Sequence, residues 1–465
     1  MSITLQSVTN LKLRLQNDLK LKASVADIID FLEDSEYLLI QLMVDNNIWT
    51  GAVPPPPSPT NDGHIEFGLI PYWVNNPPLF VQAFLDSNPL FYIAWKAVDF
   101  ALPTRIDPTN YNNLITAATG QGIVAADGSV YGCGTYDQLD PKWVWSFLDY
   151  LFVKTTGDRA AFSATQVQPL ALTGSQPNQV TIALVGDWGT GVYPGGQAID
   201  VMTQLKSLNP DYIIHLGDVY YAGTDGDFPP PREEVENYLS LWPDLPSFML
   251  NSNHEMYSGA KGYFRVLQEQ NPFSQQQGTS YFALQYGGWT LLGLDSAYFD
   301  KSPLFMAGAL GGTAGVQAQW INSLISNGQI DPDKLIVLTH HNGLSDTGKS
   351  EVSISSELNS ILGRDPAAWY WGHIHNGIVY KKPTVTGRNT FTRCVGHGAI
   401  PFGNAFGLAG DDSIEYYAHT INQKIQNNTI LVCNGFALLT ITANGSVTEE
   451  FYEQNSAASV FSNSY

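Results

Sequence analysis

Six short apolar runs between residues 180 and 371 constrain the fold of this chain more than any other feature of its sequence. Each is five or six residues long, and helix-like stretches such as 196–208 and 313–326 separate several of them. The runs are VTIALV, DYIIHL, PSFML, WTLLGL, KLIVLT and AAWYW. Buried strands that alternate with helices are typical of α/β folds. We therefore predict an α/β domain over residues 180–455.

The first part of the chain has a different texture. At 465 residues the chain exceeds the size at which one hydrophobic core keeps growing, so more than one domain is expected. Aromatic-rich apolar segments at 79–102 and 141–154 favour helices, and no chemical motif precedes residue 170. We predict a mainly helical N-terminal domain over 1–172. The polar, turn-forming residues 173–179 would link it to the α/β domain.

The charge balance limits the partners of the protein. Lys and Arg number 22 and Asp and Glu number 43, which gives a net charge of -21. Such an acidic chain repels nucleic acid, so a nucleic-acid scaffold is not expected as a partner. It also repels phosphate groups, and any phosphate site therefore needs a strong local positive charge. Bound metal ions are the obvious source in a chain with so few basic residues.

The sequence predicts neither a membrane span nor export. The most apolar window, residues 80–102, contains Asp86, Pro89, Lys96 and Asp99, which a span would exclude. No apolar run follows the charged residues at the start of the chain, so we expect a cytoplasmic location. The three cysteines form no CxxC pair, and a thiolate metal site is not expected.

Five of the six apolar runs end directly in residue types that bind metals. The five segments are GDWG at 186–189, GDVYY at 217–221, NSNHE at 251–255, THHN at 339–342 and GHIH at 372–375. Any one of them has a structural explanation, since Gly-Asp after a strand is usually a turn. Strand carboxyl ends form one edge of an α/β sheet, where ligand sites collect. The joint occurrence of all five therefore predicts a metal site at that edge.

This set of ligand types suits a pair of metal ions. Two metals about 3.5–4 Å apart can bind a phosphoryl group, generate hydroxide, and stabilise the attacking and leaving oxygens. A carboxylate must bridge them, and Asp218 is the natural candidate. Imidazole and amide ligands complete the coordination without cancelling the charge of the metals.

The five segments resemble the calcineurin-like metallophosphoesterase superfamily and, within it, the purple acid phosphatases. The commonest first motif of the superfamily is Asp-x-His, whereas Gly189 stands at the histidine position here. The purple acid phosphatase pattern has instead a tyrosine three residues after the bridging aspartate, and Asp218 and Tyr221 have that spacing. The resemblance implies a four-layer α/β/β/α sandwich. Ser252 stands where the family usually has glycine, which matters if the backbone there needs a positive φ.

The resemblance also implies the ligands of each metal. One metal would be held by Asp187, Asp218, Tyr221 and His375, and the other by Asp218, Asn253, His340 and His373. A phenolate ligand favours a trivalent ion, by resemblance Fe(III), beside Zn, Mn or Fe(II).

Four further residues are candidates for contact with substrate. In the family, the histidine at the position of His254 faces the substrate and can protonate the leaving group or bind a phosphate oxygen; a supporting role behind the ligands is the alternative. His341 and Asn342 would line the pocket or cap the strand end. His397 lies on a glycine-rich loop that could reach the site.

We therefore expect a dinuclear phosphoesterase that hydrolyses small-molecule phosphate monoesters by attack of a metal-bound hydroxide, as purple acid phosphatases do. The same chemistry serves a phosphodiesterase acting on nucleotides or lipid headgroups, which is the nearest alternative. In a third interpretation the aromatic-rich N-terminal domain binds a partner protein, and the phosphoesterase domain is secondary. The sequence specifies no oligomeric state.

Overall fold

The computed structural model describes residues 157–193, 196–226, 232–269, 271–400, 405–422 and 429–465, with single positions between 123 and 153. The predicted N-terminal helical domain therefore lies almost wholly outside the described residues, as does the apolar window 80–102. The chain divides into two compact units, and residues 159–225, 232–422 and 430–465 form the second. In the first unit, β1 (Ile123–Val124) and β2 (Val130–Tyr131) form an antiparallel pair.

The second unit contains sixteen strands and five α-helices within its described part. In chain order the strands are β3 (Leu170–Ala171), β4 (Gln179–Val185), β5 (Tyr212–His215), β6 (Ser247–Met249), β7 (Phe282–Tyr286), β8 (Trp289–Gly293), β9 (Leu335–Thr339), β10 (Ala368–Trp371), β11 (Gly377–Tyr380), β12 (Phe391–Val395), β13 (Ile414–Tyr417), β14 (Thr420–Asn422), β15 (Thr429–Leu431), β16 (Gly435–Thr442), β17 (Val447–Glu453) and β18 (Phe461–Ser464). The helices are α1 (Ala198–Ser207), α2 (Asn253–Tyr257), α3 (Lys261–Glu269), α4 (Val316–Ser326) and α5 (Ser353–Leu362). A π-helical segment covers Glu234–Leu239, and short 3-10 segments cover Ser274–Gln276, Pro303–Phe305 and Phe406–Leu408. The six apolar runs are β4, β5, β6, β8, β9 and β10, so the prediction of strands there is confirmed.

Two mixed sheets form the frame of the second unit. The six-stranded sheet has the order β18-β17-β16-β4-β5-β6, and the eight-stranded sheet has the order β13-β11-β12-β10-β9-β8-β7-β3. Strands β4, β5 and β6 run parallel, as do β8, β9, β10 and β12. Strands β16 and β17 form the predicted antiparallel hairpin around Asn444 and Gly445.

The two sheets pack face to face and are covered by helices on their outer faces. Ile182 and Leu184 of β4 share one buried apolar cluster with Ile336 and Leu338 of β9. A second cluster joins the other face of β9 to α4 and α5, and includes Trp320. Helix α1 packs on the six-stranded sheet against β16. The four-layer α/β/β/α arrangement is thus confirmed for the second unit.

The sequence explains why these strands lie inside. All five residues of β9 are buried, and the last four of β4 are buried too, because their apolar runs are continuous rather than alternating. Parallel strands covered on both faces have this composition. None of the described helices has the length and apolar character needed to cross a lipid bilayer.

Candidate metal centre

The chain places the predicted metal-binding segments immediately after buried parallel strands of both sheets. Asp187 follows β4, and Asp218 follows β5. Asn253 begins α2 shortly after β6, while His340 follows β9 directly. These side chains are almost fully buried, and contacts between them show that they meet at one edge of the sandwich.

The backbone is strained at four of the predicted metal ligands. Asp187, Asp218, His373 and His375 have φ values of 57°, 77°, 70° and 46°. Residues with a side chain seldom adopt this left-handed region, and such strain concentrates at functional sites. The turns leave no room for a side chain beside the ligands, since a Cβ at Gly372 would lie 2.6 Å from Asp187 Oδ2.

One group of ligand atoms surrounds the Oδ2 atom of Asp218. The phenol of Tyr220 donates to this oxygen at 2.9 Å and lies 3.3 Å from Asp187 Oδ1. His375 Nε2 is 3.3 Å from Asp187 Oδ1 and 3.7 Å from Asp218 Oδ2. The main-chain N–H of His373 donates to Asp187 Oδ2 at 3.0 Å and fixes that carboxyl in place. Two carboxyls, a phenol and an imidazole therefore converge.

A second group lies on the other side of Asp218. His340 Nε2 is 3.2 Å from Asp218 Oδ1 and 2.8 Å from Asn253 Oδ1. His373 Nδ1 is 3.1 Å from the same amide oxygen and 3.2 Å from His340 Nε2. The two oxygens of Asp218 therefore face two different sets of ligand atoms.

The chemistry of the second group fits a cation. His340 donates its Nδ1 proton to the carbonyl of Leu216 at 2.8 Å, and burial lowers the pKa of His340 to about 3. Its Nε2 atom is then unprotonated. Asn253 donates through Nδ2 to Tyr257 Oη at 3.0 Å, which turns the amide oxygen toward His340. Two lone pairs 2.8 Å apart repel each other unless a positive ion lies between them. Asp187, Asp218 and His340 also satisfy the spacing of a metal site.

Electrostatics distinguish Asp187 from an ordinary surface carboxyl. Burial, and then the neighbouring charge of Asp218, raises the pKa of Asp187 to about 8. Burial alone would lower the pKa of His375, but hydrogen bonds and charge interactions with Asp187 and Asp218 outweigh it and raise that pKa to about 9. The metal-free site therefore keeps protons near neutral pH that a metal ion would displace.

His254 lies beside the first group. Its Nδ1 atom donates a hydrogen bond to the carbonyl of Tyr221 at 2.7 Å, and its Nε2 atom is 3.8 Å from Asp218 Oδ2. Only 8 % of His254 is exposed. The ring therefore turns Nε2 toward Asp218.

His341 and Asn342 hold the structure around the site. The Nδ1 atom of His341 is 2.8 Å from Ser296 Oγ, and its Nε2 atom donates to the carbonyl of Phe305 at 2.7 Å. Asn342 donates to the carbonyl of Leu344 at 2.6 Å. These contacts occupy both ring nitrogens of His341. Whether His341 and Asn342 line the pocket or cap the strand end stays a prediction.

His397 and Tyr221 are placed differently from the other candidates. The ring of His397 is buried beside Gly377 and Gly435, and neither ring nitrogen has a hydrogen-bond partner among the described residues. No contact of that ring with the two carboxyls is observed in this part of the chain. The phenol in contact with both carboxyls belongs to Tyr220, and Tyr221 contributes its carbonyl to His254. Tyr221 as a ligand stays a prediction, with Tyr220 as a second candidate.

Two residues of the site were missed by the sequence reasoning. Tyr220 is one, and the Tyr-Tyr pair after Asp218 was a signal that either phenol could face the metals. Ser252 is the other: its backbone is extended, with φ −132° and ψ 177°, so the usual glycine is not required. Its hydroxyl donates to Asp218 Oδ1 at 2.5 Å. Only its adjacency to Asn253 hinted at this contact.

Residues 180–377 match the model of the calcineurin-like phosphoesterase family. No curated protein sequence matches the chain.

Solved structures that resemble the chain include three with low sequence identity. Purple acid phosphatase PPD1 of yellow lupin (Lupinus luteus) is 16 % identical, with 62 % of this chain and 54 % of that chain covered and a TM-score of 0.39. GAP50, the anchor in the inner membrane complex of Plasmodium, is 14 % identical, with 62 % of this chain and 88 % of that chain covered and a TM-score of 0.40. PhoD is 11 % identical, with 64 % of this chain and 70 % of that chain covered and a TM-score of 0.40. The chain thus spans about half of the lupin protein.

Proposed function

Because residues 180–377 match the model of the calcineurin-like phosphoesterase family, we propose that this chain is a dinuclear phosphoesterase that hydrolyses small-molecule phosphate monoesters. The observation that carries the proposal is the position of Asp218. Its Oδ2 atom faces Tyr220 and His375, while its Oδ1 atom faces His340. A carboxyl with this arrangement suits a bridge between two metal ions.

The ligand sets follow from these contacts. Asp187, Asp218, His375 and a tyrosine, either Tyr220 or Tyr221, would hold one ion. Asp218, Asn253, His340 and His373 would hold the other. A phenolate ligand favours Fe(III) in the first position, beside Zn, Mn or Fe(II) in the second. When bound, the ions would lower the pKa of a water molecule and offset the charge that develops on the phosphoryl oxygens.

Within this proposal His254 assists the leaving group. The Tyr221 carbonyl accepts a hydrogen bond from Nδ1, so Nε2 is the atom that would face a substrate. Burial lowers the pKa of His254, so the ring is an imidazolium only at acidic pH. In that form Nε2 can donate a proton to the departing ester oxygen or a hydrogen bond to a phosphate oxygen. Burial fixes the ring between Tyr220 and Tyr257, whose ring centroids lie 4.7 Å and 4.9 Å from that of His254.

Substrate choice is tested with p-nitrophenyl phosphate and its bis-ester on the full-length protein loaded with Fe, Mn or Zn. We expect faster hydrolysis of the monoester. Cleavage of the bis-ester alone would contradict the monoester assignment and favour a phosphodiesterase. Failure to cleave either ester with any of these metals would contradict the proposed function itself.

The role of His254 is tested with leaving groups of different basicity. General acid catalysis contributes about 10²–10⁴-fold and matters most when the leaving oxygen is basic. His254→Gln should therefore slow hydrolysis of an alkyl phosphate far more than that of p-nitrophenyl phosphate. The matched control is His419→Gln, since His419 is exposed and stacks on Tyr417. Equal slowing of both esters by His254→Gln would contradict proton donation.

A further inference from the structure

Ser252 makes three contacts that tie the loop after β6 to the metal centre. Its Oγ atom lies 2.5 Å from Asp218 Oδ1 and also contacts Glu255 Oε2. The hydroxyl carries one proton, which it donates to Asp218 when the Glu255 carboxyl donates to Oγ. Its Oγ atom accepts the main-chain N–H of His254 at 3.1 Å, which makes it the N-cap of α2. Ser252 is completely buried, so water does not compete for these contacts.

The groups near Asp218 Oδ1 determine which of them can donate a hydrogen bond to it. The Oδ1 atom of Asp218 also lies 3.2 Å from His340 Nε2, but that nitrogen carries no proton when His340 donates from Nδ1 to Leu216. The Ser252 hydroxyl is therefore the donor that fixes the direction of Oδ1 within the described residues. A carboxylate fixed at one oxygen can rotate little about its Cβ–Cγ bond.

The need for such a donor follows from the carboxyls behind Asp218. Glu255 and Glu234 are completely buried, and a Cβ at Gly223 would lie within 3 Å of atoms of both. One oxygen of Glu255 and both oxygens of Glu234 have no hydrogen-bond partner in the described part of the chain. Ser252 Oγ stands between Glu255 and Asp218. Without its hydroxyl, Asp218 and Glu255 would face each other directly.

We propose that Ser252 is a positioning residue that holds Asp218 in the orientation in which its two oxygens face the two ligand groups. The inference rests on the proposed dinuclear function and adds a residue to it. It also gives a reason for serine at a position where an extended backbone would accept glycine equally well.

Ser252→Gly and Ser252→Ala separate positioning from helix capping. Glycine is tolerated at an N-cap much better than alanine, so Ser252→Ala should lower the thermal unfolding midpoint of the metal-free protein more than Ser252→Gly. Both variants lack the hydroxyl and should weaken Mn²⁺ binding to the same extent. Loss of a group that orients a metal ligand typically costs about 10–100-fold in metal affinity.

The measurement is a Mn²⁺ titration of the full-length protein followed by electron paramagnetic resonance. Two ions bridged by a carboxylate give a spin-coupled signal, whereas separate ions do not. We expect this signal in the unaltered protein and in Ser258→Ala, the matched control at the end of α2, whose hydroxyl contacts only the Gly223 and Glu255 carbonyls in the described structure. Both Ser252 variants should need about 10–100-fold more Mn²⁺ to reach it.

Three results would overturn the inference. An unchanged Mn²⁺ titration of Ser252→Gly would by itself show that the hydroxyl does not orient Asp218, whatever the alanine variant does. Weakening in Ser252→Ala alone, in proportion to lost stability, would assign Ser252 a capping role only. Absence of a coupled signal in the unaltered protein would contradict the dinuclear function itself and the inference with it.

Discussion

Asp187 and Asp218 lie fully buried beside each other, and all their ion-pair partners in the described part of the chain are histidines. Buried carboxyls without Lys or Arg partners either keep protons or hold metal ions. The raised pKa of Asp187, about 8, shows the first outcome for the metal-free protein. A metal ion that binds these carboxyls would therefore displace the proton on Asp187.

Metal affinity should fall as the pH falls. Asp187 and His375, with pKa values of about 8 and 9 in the metal-free site, must lose their protons before they can bind a metal. Metal binding therefore releases protons, and binding is stronger at higher pH. Calorimetric titrations with Zn²⁺ in buffers of different ionisation enthalpy, between about pH 6 and 8, measure the metal affinity and the number of protons released. A pH-independent affinity without proton release would contradict these protonation states.

The two tyrosines after Asp218 make separable predictions. If a phenolate binds Fe(III), the oxidised, iron-loaded protein absorbs visible light by charge transfer. The contacts of the Tyr220 phenol with Asp187 and Asp218 predict that Tyr220→Phe removes this band. The family spacing instead predicts its removal by Tyr221→Phe. Visible spectra of both variants show which tyrosine is the ligand. A band that survives in both variants would exclude both phenols as the iron ligand.

At the scale of elements, a buried ion pair joins the two sheets. Arg393 of β12 donates from Nη2 to Glu449 Oε1 of β17 at 2.6 Å and from Nε to both carboxylate oxygens at 2.9 Å. Tyr370 of β10 donates to the same carboxylate at 2.5 Å. Arg393 and Glu449 are almost completely buried, so each depends on the other for its charge to be tolerated.

Arg393→Met should therefore destabilise the protein strongly. Removal of one partner leaves an uncompensated buried charge, which typically costs about 3–5 kcal/mol of unfolding free energy. Arg388→Met is the comparison, because its partners Glu351 and Asp365 are each 32 % exposed and stay hydrated when Arg388 is lost. Urea unfolding measures both. Equal losses of unfolding free energy in the two variants would contradict this role of Arg393. The double variant Arg393→Met, Glu449→Leu should recover part of the loss, because no unpaired charge is then buried.

The sequence predicted the elements whose signal is local. The continuous apolar runs of β4, β5 and β9 and the Asn444-Gly445 turn carry their own structural signal in a few neighbouring residues. The pairing of β16 with β4, and the sheet-to-sheet contact of Arg393 with Glu449, join residues far apart in the chain. Such pairings depend on the whole core. The candidate ligand residues were singled out because strand ends share an edge, whereas the choice between Tyr220 and Tyr221 depends on side-chain directions in one turn.

At the scale of the whole molecule, the second unit begins earlier than the predicted α/β domain. Residue 159 is its first residue, and Arg159 donates to the carbonyl of Tyr298 at 3.0 Å. Phe162 packs on the rings of Tyr281 and Tyr298, and the carbonyl of Val167 accepts from Trp320 Nε1 at 2.7 Å. Val167 and Phe162 therefore tie the segment 159–169 to the apolar core of this unit.

Two truncated chains test this boundary and the role of the N-terminal region. A chain of residues 159–465 should unfold at a higher temperature than a chain of residues 170–465, because only the first keeps the packing of Phe162 and Val167. If the N-terminal region serves a partner protein, the 159–465 chain should retain phosphatase activity close to that of the full chain. Insolubility of the 159–465 chain would indicate a structural role for the region instead.

The central claim is that one carboxyl, that of Asp218, bridges two metal ions. The most direct test is the metal content of the purified full-length protein beside that of Asp218→Asn, measured by mass spectrometry after metal loading and buffer exchange. The account predicts two ions per unaltered chain and loss of both the second ion and phosphatase activity in Asp218→Asn. One ion per unaltered chain, or two ions retained by Asp218→Asn, would contradict it.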